Sequence, residues 1–285
     1  MLEPGENNRI WKTVADDQLT HLHEVTNFLQ SEFGPAEGPP MWTSDLMRWK
    51  LGPTNPAGCG FLSYAVVDGR VVGSATLTRK RALLNGQEIA CGEVGDTYTA
   101  AFMRRTGTPV ELSAINSDPG HFINKSIFGR LVSDVFARAC SQGIQLVYGT
   151  PNQNSYPGYT KKLGYTELLL NPIHCFSRPT SYLIGQRFPK LKLISCLLKF
   201  AEQPFLNITC MLLKLLNPGL SMSQVQPDDD AINALWDATK PDTGFSLIRD
   251  AAYWRYRYDE NPLAKYDKFY FSKDGCLAGL VVCKK

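Results

Sequence analysis

No stretch of this sequence stays apolar for long. The richest region, residues 191–216, is broken by Lys192, Lys199, Glu202, Gln203, Pro204 and Lys214. That falls well short of the roughly 20 apolar residues a membrane-spanning helix needs. The opening residues, MLEPGENNRIWK, hold no apolar run of the kind a secretory leader carries, so none is expected. Charge of one sign is scarce too. Thirty Lys and Arg face 27 Asp and Glu, a formal net charge of +3, too small for the basic footprint of a nucleic-acid binder. The pairs Arg104-Arg105 and Lys161-Lys162 read as solvated faces. Cysteine occurs eight times, but never as CxxC and never beside a histidine at metal-ligand spacing. This argues against a disulfide framework and against a metal site, and points to a reducing, cytoplasmic setting. Cys140, Cys196 and Cys210 are expected to pack as small hydrophobes inside helical stretches, and the sequon Asn207-Ile208-Thr209 is then incidental.

What is present suits a folded domain with a sizeable core: 44% apolar and 20% charged residues over 285 positions, enough for one large domain or two ordinary ones. Residues 16–33 have helical periodicity, with Leu19, Leu22, Thr26, Leu29 and Phe33 on one face, Asp16 or Asp17 as cap and Gly34 as stop. A short helix is expected near residues 44–50. Two strand-like runs, 61–67 and 71–79, flank Asp68-Gly69, a strong hairpin signal. Asn85-Gly86 marks a second hairpin leading into 89–99. Residues 100–121 are irregular and polar. From Lys125 or Ser126 to Gln142 runs the clearest helix, closed by Gly143, and strands are expected over 144–149 and 165–170. Residues 181–216 read as two apolar-faced helices broken near Pro204, and Asn217-Pro218-Gly219 opens a more polar linker.

Two segments echo each other. NPAGCGFLSYAVVDGRVVG begins at Asn55 and NPLAKYDKFYFSKDGCLAG at Asn261. Asn55/Asn261, Pro56/Pro262, Asp68/Asp274, Gly69/Gly275 and Gly73/Gly279 match at one offset. An aromatic-basic cluster precedes each, Arg48-Trp49-Lys50 and Trp254-Arg255-Tyr256-Arg257. Turn residues recur by chance, but five identities in one ungapped register favour a duplication.

The segment YGTPNQNSYPGYTKKLGY, residues 148–165, ends an apolar strand in a polar, Pro-rich turn and restarts as a short helix containing Tyr159. A turn needs no tyrosine. Together with WKLGPTNP (49–56) and GEVGDTYT (92–99), this order of elements resembles the GNAT superfamily of acyl-CoA-dependent N-acyltransferases over residues 10–170. The resemblance implies an α/β (α+β) fold: a mixed, mostly antiparallel twisted sheet flanked by helices, plus the start of a second similar domain. The implied domains are 1–180, acyltransferase; 181–220, apolar helical connector; and 221–285, a partial second copy of helices plus a β-hairpin.

The same resemblance implies a site. In the family, a turn opening a long helix points backbone N–H groups at the pyrophosphate of coenzyme A. Its counterpart here is Asn124, Lys125, Ser126, Ile127 and Phe128. The alternative is a plain helix start capped by Asn124 or Ser126. The pattern departs from the family at Ile123, Ser126 and Phe128, and the Cβ of Ser126 crowds a phosphate. The end of the fourth strand, Thr97, Tyr98 and Thr99, would bind the pantetheine arm like an added strand, with Asn152 and Asn154 meeting the cofactor on the other side. Glu93 or Asp96 would take the proton an ammonium acceptor must lose; both otherwise read as turn caps or partners of an arginine. Tyr159 would protonate the departing thiolate, since a phenol with a pKa near 10 stays protonated at neutral pH. Its alternative is a packing aromatic, and Tyr156 is its competitor. His121 reads as a solvated loop residue.

The expected function is transfer of acetyl from acetyl-CoA to a primary amine of a small molecule or amino sugar, without a metal, nucleic acid or membrane span, and with room for a homodimer. The competing expectation is a catalytically inactive GNAT-like binding module, motivated by Ile123 and Ser126.

Overall fold

The computed structural model describes residues 11–34, 40–104, 126–153, 155–167 and 215–284, with positions 190, 194, 196–198, 204 and 211. The chain divides into two units. One comprises Met1–Glu167, Asp228–Asp267 and Cys283–Lys285; the other comprises Leu168–Pro227 and Lys268–Val282.

The first unit is built on strands β1 (Lys12–Ala15), β2 (Phe61–Val67), β3 (Arg70–Leu84), β4 (Gln87–Thr99) and β5 (Leu146–Gly149), in that spatial order. A further strand, β7 (Phe245–Leu247), pairs with the far end of β3. Every pairing is antiparallel except β4 with β5. Both tight hairpins form at the residues whose chemistry demanded them. Asp68-Gly69 (φ 48° and 77°) and Asn85-Gly86 (φ 51° and 78°) adopt the paired left-handed conformation of a two-residue turn that matches strand twist.

Helices α1 (Leu22–Phe33) and α2 (Ser44–Leu51) cover one face, and α3 (Ile127–Ser141) covers the other. The alternation of β2 and β3 fixes which residues face which helix. Ser63 faces α3, where Arg138 Nη2 donates to its hydroxyl (2.5 Å) and to Leu62 O (2.9 Å). Tyr64 faces the α1 side and meets His21 (5.7 Å between rings). At Gly73 a Cβ would lie 2.8 Å from the Ile127 side chain, so glycine permits the close seating of α3. The core is continuous across both faces, with Val25, Leu29, Met47, Leu62, Leu77, Leu131 and Val135 fully buried.

Several expectations are corrected in detail. The first helix begins at Leu22 rather than Asp16, because the Asp16 carboxylate accepts the amides of Thr20 (2.9 Å) and His21 (2.8 Å) and closes a turn with Leu19 at φ 56°. β3 runs on to Leu84 because β4 pairs along its second half and β7 pairs with its last three residues. β5 begins at Leu146, and residues 165–167 form no strand. Cys140 and Cys196 are exposed, Cys140 being turned one helical step from buried Ala139; Cys210 lies outside the described residues. So do residues 105–121 of the polar insertion, residues 168–170, and most of 181–216.

The first unit also holds α4 (Asp229–Thr239), capped by Asp228, and α5 (Ala251–Trp254), capped by Asp250 and continued by a π-helical turn, Arg255–Asp259. Trp49 and Trp254 are buried. Asn55 Oδ1 accepts the Ala57 amide, and Asn261 Oδ1 the Leu263 amide, each at 3.0 Å. These are equivalent Asx turns at matched positions of the two echoing segments.

The second unit contains most of the three-stranded sheet β6-β8-β9, from β6 (Leu220–Ser223), β8 (Tyr266–Lys273) and β9 (Cys276–Lys284). Asp274-Gly275 (φ 52° and 84°) turns β8 into β9 as Asp68-Gly69 turns β2 into β3. Among the described residues, no helix is long and apolar enough to cross a membrane.

Candidate active site

β4 is interrupted by a bulge. Thr76 pairs with Gly95 and Ser74 with Tyr98, so Asp96 and Thr97 together oppose Ala75 alone. Asp96 takes φ 44°, unusual for a residue with a Cβ. The bulge turns the two side chains to opposite faces. Asp96 joins Thr76 and α2, while Thr97 meets Tyr159.

The strands part at the same place. β4 and β5 are paired from Cys91–Leu146 to Val94–Gly149. β5 then ends, while residues 95–99 of β4 continue with no β5 partner among the described residues. The fork has local causes. Gly149 sits where a Cβ would meet Val94 Cγ1 at 2.8 Å, and Pro151 has no amide to extend the ladder. Asn152 Oδ1 then accepts the Ser155 amide (3.0 Å) and opens the next helical segment. Asn152, expected to face a cofactor with its amide, spends its carbonyl on this local cap.

Tyr159 stands at the mouth of the fork, in the π-helical turn Gly158–Lys162. Its hydroxyl donates to Thr97 Oγ1 (2.9 Å), whose own proton goes to Gly95 O (3.1 Å). Phe128 and Tyr165 wedge the ring edge-on at 5.2 and 5.1 Å. Burial pushes the phenol up to about 12, opposed by the Thr97 hydrogen bond and assisted by the Asp96 charge. The group therefore holds its proton at any physiological pH. Tyr156, the competitor, is 36% exposed and donates to Glu167 (2.9 Å).

The two carboxylates differ. Asp96 accepts from Lys50 Nζ, Trp42 Nε1 (3.1 Å) and Thr76 Oγ1 (2.9 Å). Burial pushes its carboxyl up, but the Lys50 charge and the three hydrogen bonds outweigh it and hold the group below its ordinary value. A saturated, ion-paired carboxylate is a poor proton acceptor. Glu93 lies in the paired part of β4 opposite Tyr148, on the Lys80 side of the sheet, with Lys80 Nζ at 3.2 Å and a side chain 36% exposed.

The remaining candidates sit around the fork. Tyr98 packs on Phe33 (3.8 Å) and donates to Glu32 (3.0 Å). Thr99 carries a buried hydroxyl with no hydrogen-bond partner among the described residues. Ser126 is the N-cap of α3, its Oγ accepting the Gly129 amide at 3.3 Å; Ile127 is buried against Gly73, and Phe128 flanks Tyr159. Asn124, Lys125, Asn154 and His121 lie outside the described residues. Sequence reasoning missed Trp42, Lys50 and Thr76 as partners of Asp96. The signal available was Lys50 inside an aromatic-basic cluster, which pointed to no acidic partner.

No protein-family model matches the sequence, and no curated protein matches it. Among solved structures, a conserved protein of unknown function from Enterococcus faecalis V583, described as a probable N-acyltransferase, matches 96% of this chain with a TM-score of 0.50 and 8% identity. The matched region is 55% of that protein's length. An acetyltransferase from Trypanosoma brucei matches 59% of this chain and 100% of its own (16% identity, TM-score 0.37). A predicted acetyltransferase from Clostridium acetobutylicum, solved with acetyl-CoA, matches 58% of this chain and 96% of its own (13% identity, TM-score 0.41). The likeness to the Enterococcus protein is one of fold.

Proposed function

The chain has a GNAT-type fold, and from that premise we propose that it is an acyl-CoA-dependent N-acyltransferase, moving acetyl from acetyl-CoA to a primary amine of a small molecule or amino sugar. One observation carries the reading: a forked pair of parallel strands with a buried, protonated phenol, held by Thr97, at the mouth of the fork. The edge at residues 95–99 and the Thr99 hydroxyl, both without a partner among the described residues, suit a strand-like pantetheine arm. The amide of Ile127, at the start of α3, suits its pyrophosphate. Acetyl-CoA supplies the thioester carbon.

In this reading Glu93, through solvent, takes the proton that turns the acceptor ammonium into an amine. The amine nitrogen bonds to the thioester carbon, and the bulge backbone faces the developing oxyanion. The carbon–sulfur bond then breaks, Tyr159 delivers its proton to the sulfur, and the extra proton on the attacking nitrogen leaves through solvent, which restores the phenol. Asp96 anchors the bulge and exchanges no proton. The echo of Asn55–Gly73 at Asn261–Gly279 supports reading residues 221–285 as related to the first domain by duplication.

The test is melting with and without acetyl-CoA. At 100 times its Kd a ligand adds about 2.7 kcal/mol, about 5 to 10 °C for a protein of this size. A shift of that size with measurable acetyl transfer supports the reading. A second reading, an inactive binding module, is favoured by one observation, the Ser126 hydroxyl sitting on the Gly129 amide. No shift at millimolar acetyl-CoA would select it.

A further inference from the structure

Trp49 and Tyr256 are 207 residues apart and bonded reciprocally. Trp49 Nε1 donates to Tyr256 O (3.0 Å), and Tyr256 OH donates to Trp49 O (3.1 Å). Their rings stack at 4.6 Å and 16°. Both are buried, 8% and 3% exposed. Stacking alone would let one ring slide over the other. Two directional hydrogen bonds to main-chain carbonyls fix the backbone at Trp49 as well. Tyr256 itself is firmly mounted: β7 pairs with β3, and Arg81 Nη1 donates to Asp250 (2.6 Å) at the cap of α5.

The next residue after Trp49 is Lys50, and its ammonium sits on Asp96. Asp96 keeps its left-handed conformation at the bulge because its carboxylate is held by Lys50, Trp42 and Thr76. The residue after Asp96 is Thr97, the acceptor of the Tyr159 proton. Every step from Tyr256 to Tyr159 is a hydrogen bond, an ion pair or one peptide bond. We propose that Tyr256 is a positioning residue for the acyl-transfer centre. Its clasp on Trp49 seats Lys50 against Asp96 and so fixes the bulge that presents Thr97 to Tyr159. The proposal rests on the acyl-transfer reading above.

Tyr256→Phe removes one hydroxyl and keeps the stack. Two quantities are read. The first is the rate of reductive methylation at Lys50, followed by mass spectrometry on the folded protein, which needs no activity. The second is steady-state acetyl transfer. The expected result is a roughly fivefold or greater rise in Lys50 methylation and a fall of similar size in kcat, with KM for acetyl-CoA within twofold. A packing role alone would lower the melting temperature and move neither quantity. Should Tyr256→Phe not fold, Trp49→Phe removes the other hydrogen bond and is read in the same way. Unchanged Lys50 labelling and unchanged kcat in either folded variant overturn the proposal. Wild-type protein that transfers no acetyl overturns the acyl-transfer reading and the catalytic part of this one, while the labelling still decides the clasp.

Discussion

Replacing Lys50 by Met leaves Asp96 in place without its cation. The Asp96 side chain is 11% exposed and that of Lys50 23%, so the pair lies toward the buried end of the range. Breaking a buried pair from one side costs about 3 to 5 kcal/mol. The residual exposure of Lys50 places this one near the lower end, about 3 kcal/mol. For a protein of this size that lowers the melting temperature by roughly 6 to 12 °C. The loss depends on pH, and its sign follows from linkage. In the native protein the Asp96 carboxyl is held below its unfolded value, so its contribution is present above about pH 4 and fades as pH falls through the folded value. In Lys50→Met only burial and neutral hydrogen bonds remain, and the folded value rises. The variant therefore loses stability as pH rises through that value, and its deficit against wild type shrinks from pH 7 toward pH 4.5. Adding Asp96→Asn to Lys50→Met removes the stranded charge and should restore about 1 kcal/mol or more at pH 7. Denaturant unfolding of wild type, Lys50→Met, Asp96→Asn and the double variant at pH 7 and pH 4.5 measures all four members of the cycle. A Lys50→Met deficit under about 1 kcal/mol at pH 7, or one that does not shrink on acidification, refutes the assignment of Asp96 as an ion-paired anchor.

Tyr159→Phe should lower kcat roughly a hundredfold and cost only about 1 kcal/mol of stability, because the Thr97 hydroxyl keeps its bond to Gly95 O. Steady-state rates together with a melting curve check the two halves, and wild-type turnover would remove this phenol from the chemistry. Ser126→Gly frees the Gly129 amide at a cost of a few tenths of a kcal/mol; it should lower KM for acetyl-CoA about threefold if a phosphate rests on that helix end. A raised KM would place the phosphate elsewhere.

Local chemistry was legible. Asp68-Gly69, Asn85-Gly86 and Asp274-Gly275 each form the turn their residue types favour, because a two-residue hairpin with both φ positive leaves little choice. α3 follows from the spacing of Ile127, Leu131, Val135 and Ala139. The end of β5 in a polar, Pro-rich turn and the short helical restart that contains Tyr159 were legible in residues 148–165. What could not be read was competition for polar groups. Asn152 looked like a free amide but caps its own helix. Asp96 looked like a base, and only the folded chain brings it Lys50 and Trp42. Trp49 stood out only as a member of an aromatic-basic cluster, and nothing near it in sequence pointed to Tyr256. Asp16 lay where a cap was expected, but its carboxylate closes a turn ahead of the helix.

The length of β3 sets a schedule for biosynthesis. Its outer end, Ala82 to Leu84, is sheltered by β7, and the link between Asn85 and Gly244 spans 159 residues. At about 5 to 20 residues per second, the ribosome delivers that cover roughly ten to thirty seconds after the hairpin emerges. Until then a short bare margin carrying the apolar side chains of Ala82 and Leu83 can recruit a strand from a neighbouring nascent chain. Yield of native protein should therefore depend on translation speed and on chaperones that shield this margin, more than on the final stability of the molecule.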